Sequence, residues 1–139
     1  MAQKISKILV PLDGSKNSLR GLKFALTLAR QSGLSVVCLN VSSIQFFLKT
    51  REIINQKKKK SEQIIHQAKI LSQKEKIPFR GVIKSSDNIG KTIVTFAENN
   101  KVDLIVIGSR GPDPEIELFL GSVANYVVNK SKIPVAVIK

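Results

Sequence analysis

The run Val102-Asp103-Leu104-Ile105-Val106-Ile107 leads into Gly108-Ser109-Arg110-Gly111, and Gly121-Ser122 follows nine residues later. A short apolar run that stops at glycine reads as a buried strand. Val123 to Val128 then reads as a short helix opening at Gly-Ser. Glycines let backbone N–H groups approach an anion, and a helix N-terminus adds unpaired donors and a positive dipole. Together they are how α/β proteins hold phosphate. The stretch calls for alternating strands and helices, with a nucleotide-type anion at this turn.

The remaining chain fits that demand. Lys7 to Leu12 is a short apolar run that ends at Asp13-Gly14-Ser15, read as strand 1, a turn and a helix N-cap. Leu19, Leu22, Phe24 to Leu26, and Leu28-Ala29 mark an amphipathic helix closed by Gly33. Leu34 to Val41 is nearly all apolar, as a parallel strand covered on both faces must be. Apolar pairs near helical spacing from Ile44 to Lys74, including Phe46-Phe47 and Ile64-Ile65, predict one long helix or two segments meeting near the lysine run. Its isoleucines are expected to face inward. Ile77 to Ile83 is a weaker third strand, and Asp87-Asn88 caps a helix ending near Asn99-Asn100. Ile133 to Ile138 is a fifth strand, whose proline suits an edge or a strand start. The pattern predicts an α/β fold, a single domain over residues 1–139, with a doubly wound parallel sheet and right-handed crossovers.

Ligands in such sheets bind beyond the carboxyl ends of the strands, where the strand order reverses. With strands 1 and 4 adjacent there, Pro11-Leu12-Asp13 and Gly108 to Gly111 flank one crevice. Asp13 then has two readings: a hydrogen-bond partner for a ribose or adenine edge, or a turn and cap residue. Asp13-Gly14-Ser15-Lys16 is not a P-loop, because the earlier glycine is missing and the lysine follows the serine. His66, the only histidine, has no second ligand for a metal site and reads as a solvated helix residue. Asp103 reads as a loop cap at the far end of strand 4, and Ser109 lacks a base that would make it a nucleophile.

The net charge is +13, mostly lysine, with Lys57 to Lys60 the densest run. Arginine is scarce and no aromatic interleaves with the lysines, so a solvated lysine-rich surface is preferred to a nucleic-acid face. No window approaches the ~20 apolar residues of a membrane span, and the first residues lack the h-region of a signal peptide. Cys38 is the only cysteine and lies in an apolar run, as a small buried hydrophobe does. The chain reads as cytoplasmic.

Ile8 to Ser15, Asp103 to Gly111, Gly121 to Ala124, and Ile133 to Val137 resemble the universal stress protein (UspA) family, in its order and spacing. Gly108, Gly111, Gly121 and Ser122 match the G-x2-G-x9-G-[ST] signature of its ATP-binding branch. The resemblance implies a five-stranded sheet of order 3-2-1-4-5 with helices on both faces, similar to the adenine nucleotide α-hydrolases. It also implies a homodimer through Val135 to Ile138. In ATP-binding members, the positions matching Pro11, Leu12, Asp13 and Val41 hold adenine and ribose. Those matching Ile107 and Gly108 lie beside the nucleotide, and those matching Arg110, Gly111, Gly121, Ser122 and Val123 take the phosphates. The expected ligand is ATP, with ADP or AMP as alternatives, together with Mg; no protein-built metal site is expected. The implied role is a nucleotide-dependent stress-response protein with slow or no hydrolysis, and so not an enzyme.

One segment departs from the family. Where members often carry a small or basic stretch, this chain has Pro112-Asp113-Pro114-Glu115-Ile116-Glu117-Leu118-Phe119-Leu120. A like-charge pair ~4 Å apart costs about 4 kcal/mol when partly buried and about 1 in water. Asp113, Glu115 and Glu117 therefore either point to solvent or help hold a divalent cation. This insert motivates a second reading, an adaptor dimer with a vestigial pocket and an unidentified protein partner. A nucleic-acid-associated protein ranks third, on charge alone.

Overall fold

In the computed structural model, residues 4–43, 50–110 and 120–139 are described. Gly111, the acidic residues Asp113, Glu115 and Glu117, and Phe46-Phe47 lie outside the described residues. The elements alternate: β1 (Lys7–Pro11), α1 (Lys16–Ser32), β2 (Ser35–Ser43), α2 (Arg51–Lys74), β3 (Phe79–Ser86), α3 (Ile89–Asn99), β4 (Leu104–Gly108), α4 (Ser122–Lys130) and β5 (Val135–Ile138). The strands form one parallel sheet of order β3-β2-β1-β4-β5, as expected. Pro134 stands just before the edge strand β5, where its missing N–H breaks no ladder bond.

Alternation along the strands divides the core in two. Ile8, Val10, Val36, Cys38 and Val106 pack under α1 and α2 with Leu22, Ala25, Leu26, Ala29 and Ala68. Leu9, Val37, Leu39, Ile105 and Ile107 pack under α3 and α4 with Ile93, Val94, Phe96, Ala97, Ala124 and Val127. β1 and the middle of β2 bury both faces, which is why their sequences read as continuous apolar runs.

Local signals set the boundaries. Ser15 caps α1 by accepting the Ser18 N–H, and Gly33 ends it at φ 69°, a left-handed conformation that costs other residues about 1 kcal/mol or more. Asn88 caps α3 by accepting the Lys91 N–H. Asp103 is the cap its position suggested: its Oδ2 accepts the Ser6 N–H at 2.9 Å, the Ser6 hydroxyl at 3.0 Å and the Lys7 N–H at 3.0 Å. It thereby ties the start of β1 to the start of β4.

α2 takes the single-helix alternative of the two expected, and β3 is displaced from its apolar run. α2 runs unbroken through the lysines, and its fully buried residues are Ser61, Ala68 and Ser72. Ile64, Ile65 and Leu71 are half-buried, while Ile54 and Ile70 are exposed. Small residues let the helix lie close on the sheet, and a Cβ at Gly81 of β3 would run into Ile65. β3 begins and ends later than its apolar run, because Lys84, Ser85 and Ser86 pair with Val41, Ser42 and Ser43 through backbone bonds that ignore side-chain type.

Candidate functional site

β1 pairs with β4, so the strand order reverses between them and their carboxyl ends border the expected crevice. The turn after β1 is pinned from β2. The Leu12 N–H donates to the Leu39 carbonyl at 2.9 Å, and the buried Asn40 Nδ2 donates to the Leu12 carbonyl at 2.8 Å. Asn40 Oδ1 has no partner among the described residues. Asp13 follows, exposed, with Oδ1 accepting the Ser15 N–H at 2.8 Å. One carboxylate oxygen thus makes the turn, and the other retains its acceptor capacity.

On the other side, the chain leaving β4 is held at three places. The Ser109 N–H donates to the Ile138 carbonyl at 2.8 Å, and the Gly121 N–H donates to the Ser109 carbonyl at 2.8 Å. The Arg110 N–H donates to Asn17 Oδ1 at 2.7 Å. The Ser109–Gly121 bond closes a neck where the segment between the glycines leaves and returns. α4 starts immediately above it. Gly121, its N-cap residue, offers no side-chain cap, so the first-turn N–H groups have no capping acceptor from it.

A cavity of about 220 Å³ lies between these walls. Pro11, Leu12, Asp13, Val41, Ile107, Gly108, Arg110, Gly121, Ser122 and Val123 all line it. Gly111 is the one expected site residue outside the described segments. Ala124, which stands where some family members carry a hydroxyl residue, also lines it, and the sequence reading missed four lining residues: Ser18, Leu39, Ile89 and Ile93. Ile89 and Ile93 carried a signal as apolar positions on one face of α3, but nothing in the pattern tells the sheet-facing turn from the turn that overhangs the crevice.

The lining is apolar at the β2–α3 end and rich in backbone donors at the α4 end. Asp13 is the only carboxylate, and no histidine is present, among the described lining residues. The described residues hold no cluster of three potential metal ligands. His66 is exposed on α2, and Ser109 Oγ turns toward Asn17 Oδ1 at 3.4 Å instead of toward a base. Cys38 is buried under α1 and α2, and burial pushes its thiol up to about 12. No described helix is long and apolar enough to cross a membrane.

These features define a doubly wound α/β protein with a crevice at its strand-order reversal and no acid–base pair among the described lining residues. The family follows from the chain itself. It belongs to the universal stress protein family, whose model matches residues 4–139. It is 31% identical to the universal stress protein YxiE of Bacillus subtilis, over 96% of this chain and 99% of that protein. It is 28% identical to the universal stress protein MJ0577 of Methanocaldococcus jannaschii, over 100% of this chain and 98% of that protein. The solved structure of MJ0577 superposes with a TM-score of 0.80, covering 96% of this chain and 95% of that one. The universal stress protein from Archaeoglobus fulgidus, solved in complex with dAMP, is 26% identical with a TM-score of 0.71, covering 98% of each chain.

Proposed function

We propose that this chain is a cytoplasmic, nucleotide-dependent stress-response protein that binds ATP, or ADP or AMP, with Mg²⁺ in the crevice between β1 and β4. The observation that carries the reading is the α4 N-terminus, which takes no side-chain cap from Gly121 and borders the cavity through Gly121, Ser122 and Val123. Unpaired N–H groups and the helix dipole favour an anion there. The dAMP complex of the Archaeoglobus fulgidus relative supports an adenine nucleotide as the ligand.

The proposed assignment follows the walls. Val41, Leu39, Ile89 and Ile93 enclose the base, and Pro11, Leu12 and Asp13 border the ribose. Ile107 and Gly108 lie alongside, and Arg110, Gly111, Gly121, Ser122 and Val123 receive the phosphates. At about 220 Å³ the cavity is smaller than the ~300–1,000 Å³ of typical ligand pockets. It suits the base and sugar, with the phosphates lying over the α4 end. Mg²⁺ arrives on the phosphates, with Asp13 the one carboxylate among the described lining residues. The proposed role needs slow hydrolysis or none, and the described lining residues hold no histidine and no second carboxylate to pair with Asp13.

Calorimetric titration with ATP and Mg²⁺, together with analysis of nucleotide released on denaturation, tests the reading. Binding at micromolar to millimolar ATP supports it. No heat at millimolar ATP and no released nucleotide overturn it in favour of the adaptor. The proposed homodimer uses the β5 edge, whose residues Val135, Ala136, Val137 and Ile138 are apolar and half-buried. A protein that sediments as a monomer at micromolar concentration refutes that part.

A further inference from the structure

We infer that Asn17 is a positioning residue of this site, setting the direction in which the chain leaves β4 toward the phosphates; the inference rests on the nucleotide reading above. Asn17 lies in the first turn of α1, on a different element from every proposed phosphate-side residue, and does not line the cavity. Its Oδ1 accepts the Arg110 backbone N–H at 2.7 Å and lies 3.4 Å from the Ser109 hydroxyl.

The backbone meets there as well. A Cβ on Gly108 would stand 2.7 Å from Asn17 Oδ1 and 2.9 Å from its carbonyl carbon and oxygen. The last residue of β4 therefore rests directly on the start of α1. The N-cap of α1 is supplied by Ser15, so the Asn17 carboxamide is not needed to cap its own helix. It reaches across to a loop ninety-three residues away in sequence.

The consequence is geometric. The Arg110 N–H is consumed by Asn17, so it is not a phosphate donor. Among the described residues, the donors that remain belong to the first turn of α4, which starts at Ser122. Where they point depends on the exit fixed by Asn17 on one side and on the Ser109–Gly121 neck on the other. The base and ribose walls, Val41, Leu39, Ile93 and Pro11, do not depend on that exit. Asn17 thus acts selectively on the phosphate end.

The test compares wild type with Asn17→Ala and Asn17→Asp. Calorimetry gives affinities for adenosine, AMP and ATP, and NMR follows hydrogen exchange of the Arg110 amide. In Asn17→Ala, AMP and ATP affinities should fall about five- to ten-fold, the scale of one hydrogen bond. Adenosine affinity should stay within about two-fold, and the Arg110 amide should lose protection. Asn17→Asp, which retains an acceptor of the same shape, should keep that amide protected. Equal losses for adenosine and ATP would mark Asn17 as merely structural and overturn the inference. So would unchanged ATP binding in Asn17→Ala, or an Arg110 amide equally protected in that variant. Wild type that binds no nucleotide overturns both the inference and the function beneath it.

Discussion

Gly108→Ala asks whether the contact between β4 and α1 is as tight as the structure shows. The new methyl would lie 2.7–2.9 Å from three atoms of Asn17, two of them backbone. Optimal carbon contacts lie near 3.5–4.0 Å, and the backbone of a helix's first turn cannot rotate away as a side chain can. Either α1 shifts or β4 does, and overpacking of this kind typically costs 1–3 kcal/mol. Stiffening the unfolded chain returns about 0.4–1 kcal/mol. The net expectation is a loss of about 1–2 kcal/mol, or roughly 3–6 °C in Tm for a chain of this size. Gly21→Ala is the control, since Gly21 packs against the same strand end. There the methyl would lie 3.5 Å from the Gly108 N and 3.7 Å from the Ile107 carbonyl carbon, ordinary contact distances. Alanine is also the better helix former by about 0.5–1 kcal/mol. The two neighbouring substitutions should therefore move stability in opposite directions, read by calorimetry or urea melts. A Gly108→Ala protein of wild-type stability, or two equal losses, would refute the steric reasoning.

Two further outcomes follow from charge and burial. The Ser6 N–H, helped by the Lys7 N–H and the Ser6 hydroxyl, holds the Asp103 carboxyl below its ordinary value of 3.8. A lowered folded-state value means this stabilisation is fully present above about pH 4–5 and fades as pH falls through the folded value. Asp103→Ala should cost about 1 kcal/mol at pH 7, below the usual range for charged hydrogen bonds because the site is partly exposed. The gap between variant and wild type should shrink below pH 4 in acid melts; a gap independent of pH would contradict it. Cys38, buried with its thiol pushed up to about 12, should resist alkylation in the native protein and react only on unfolding. Labelling within minutes under native conditions would show that α1 and α2 open over the sheet.

The strands were legible because both faces of the sheet are covered. Ile8 to Val10 and Val36 to Leu39 have no solvent side, and no other element explains such runs at five to nine residues. The crevice was legible where its residues are fixed by chain direction, at the carboxyl end of β1 and the glycine-bounded end of β4. Residues placed by packing between distant elements were not. Ile89 and Ile93 reach the crevice because a crossover lays the α3 N-terminus over it. Asn17 reaches the chain leaving β4 because Gly21 and Gly108 let α1 approach β4 closely. A mid-helix glycine one turn after a polar residue was the signal available for Asn17, since glycine there costs helix stability and calls for a close approach. Of the isoleucines expected inward on α2, Ile64 and Ile65 pack against the core while Ile54 does not, for a related reason. A helix lying close on a sheet selects small residues at contact, and leaves Ile54 and Ile70 on its flank.

The lysine surface and the crevice act at different stages of anion binding. A net charge of +13 raises the arrival rate of a polyphosphate, but at physiological ionic strength such fields are screened over about 8 Å. The Lys57 ammonium donates to the carbonyl of Ser43, the last residue of β2, and Lys57 is not a lining residue of the cavity. The proposed phosphate end is at the start of α4. On the proposed assignment, retention comes from groups within hydrogen-bond reach, chiefly the first-turn amides of α4 beside the Ser109–Gly121 neck. Fixed backbone donors lose little entropy on binding, whereas long lysine side chains must be ordered first. On this reading the surface charge governs how often a nucleotide arrives. The β4–α4 neck governs how long it stays.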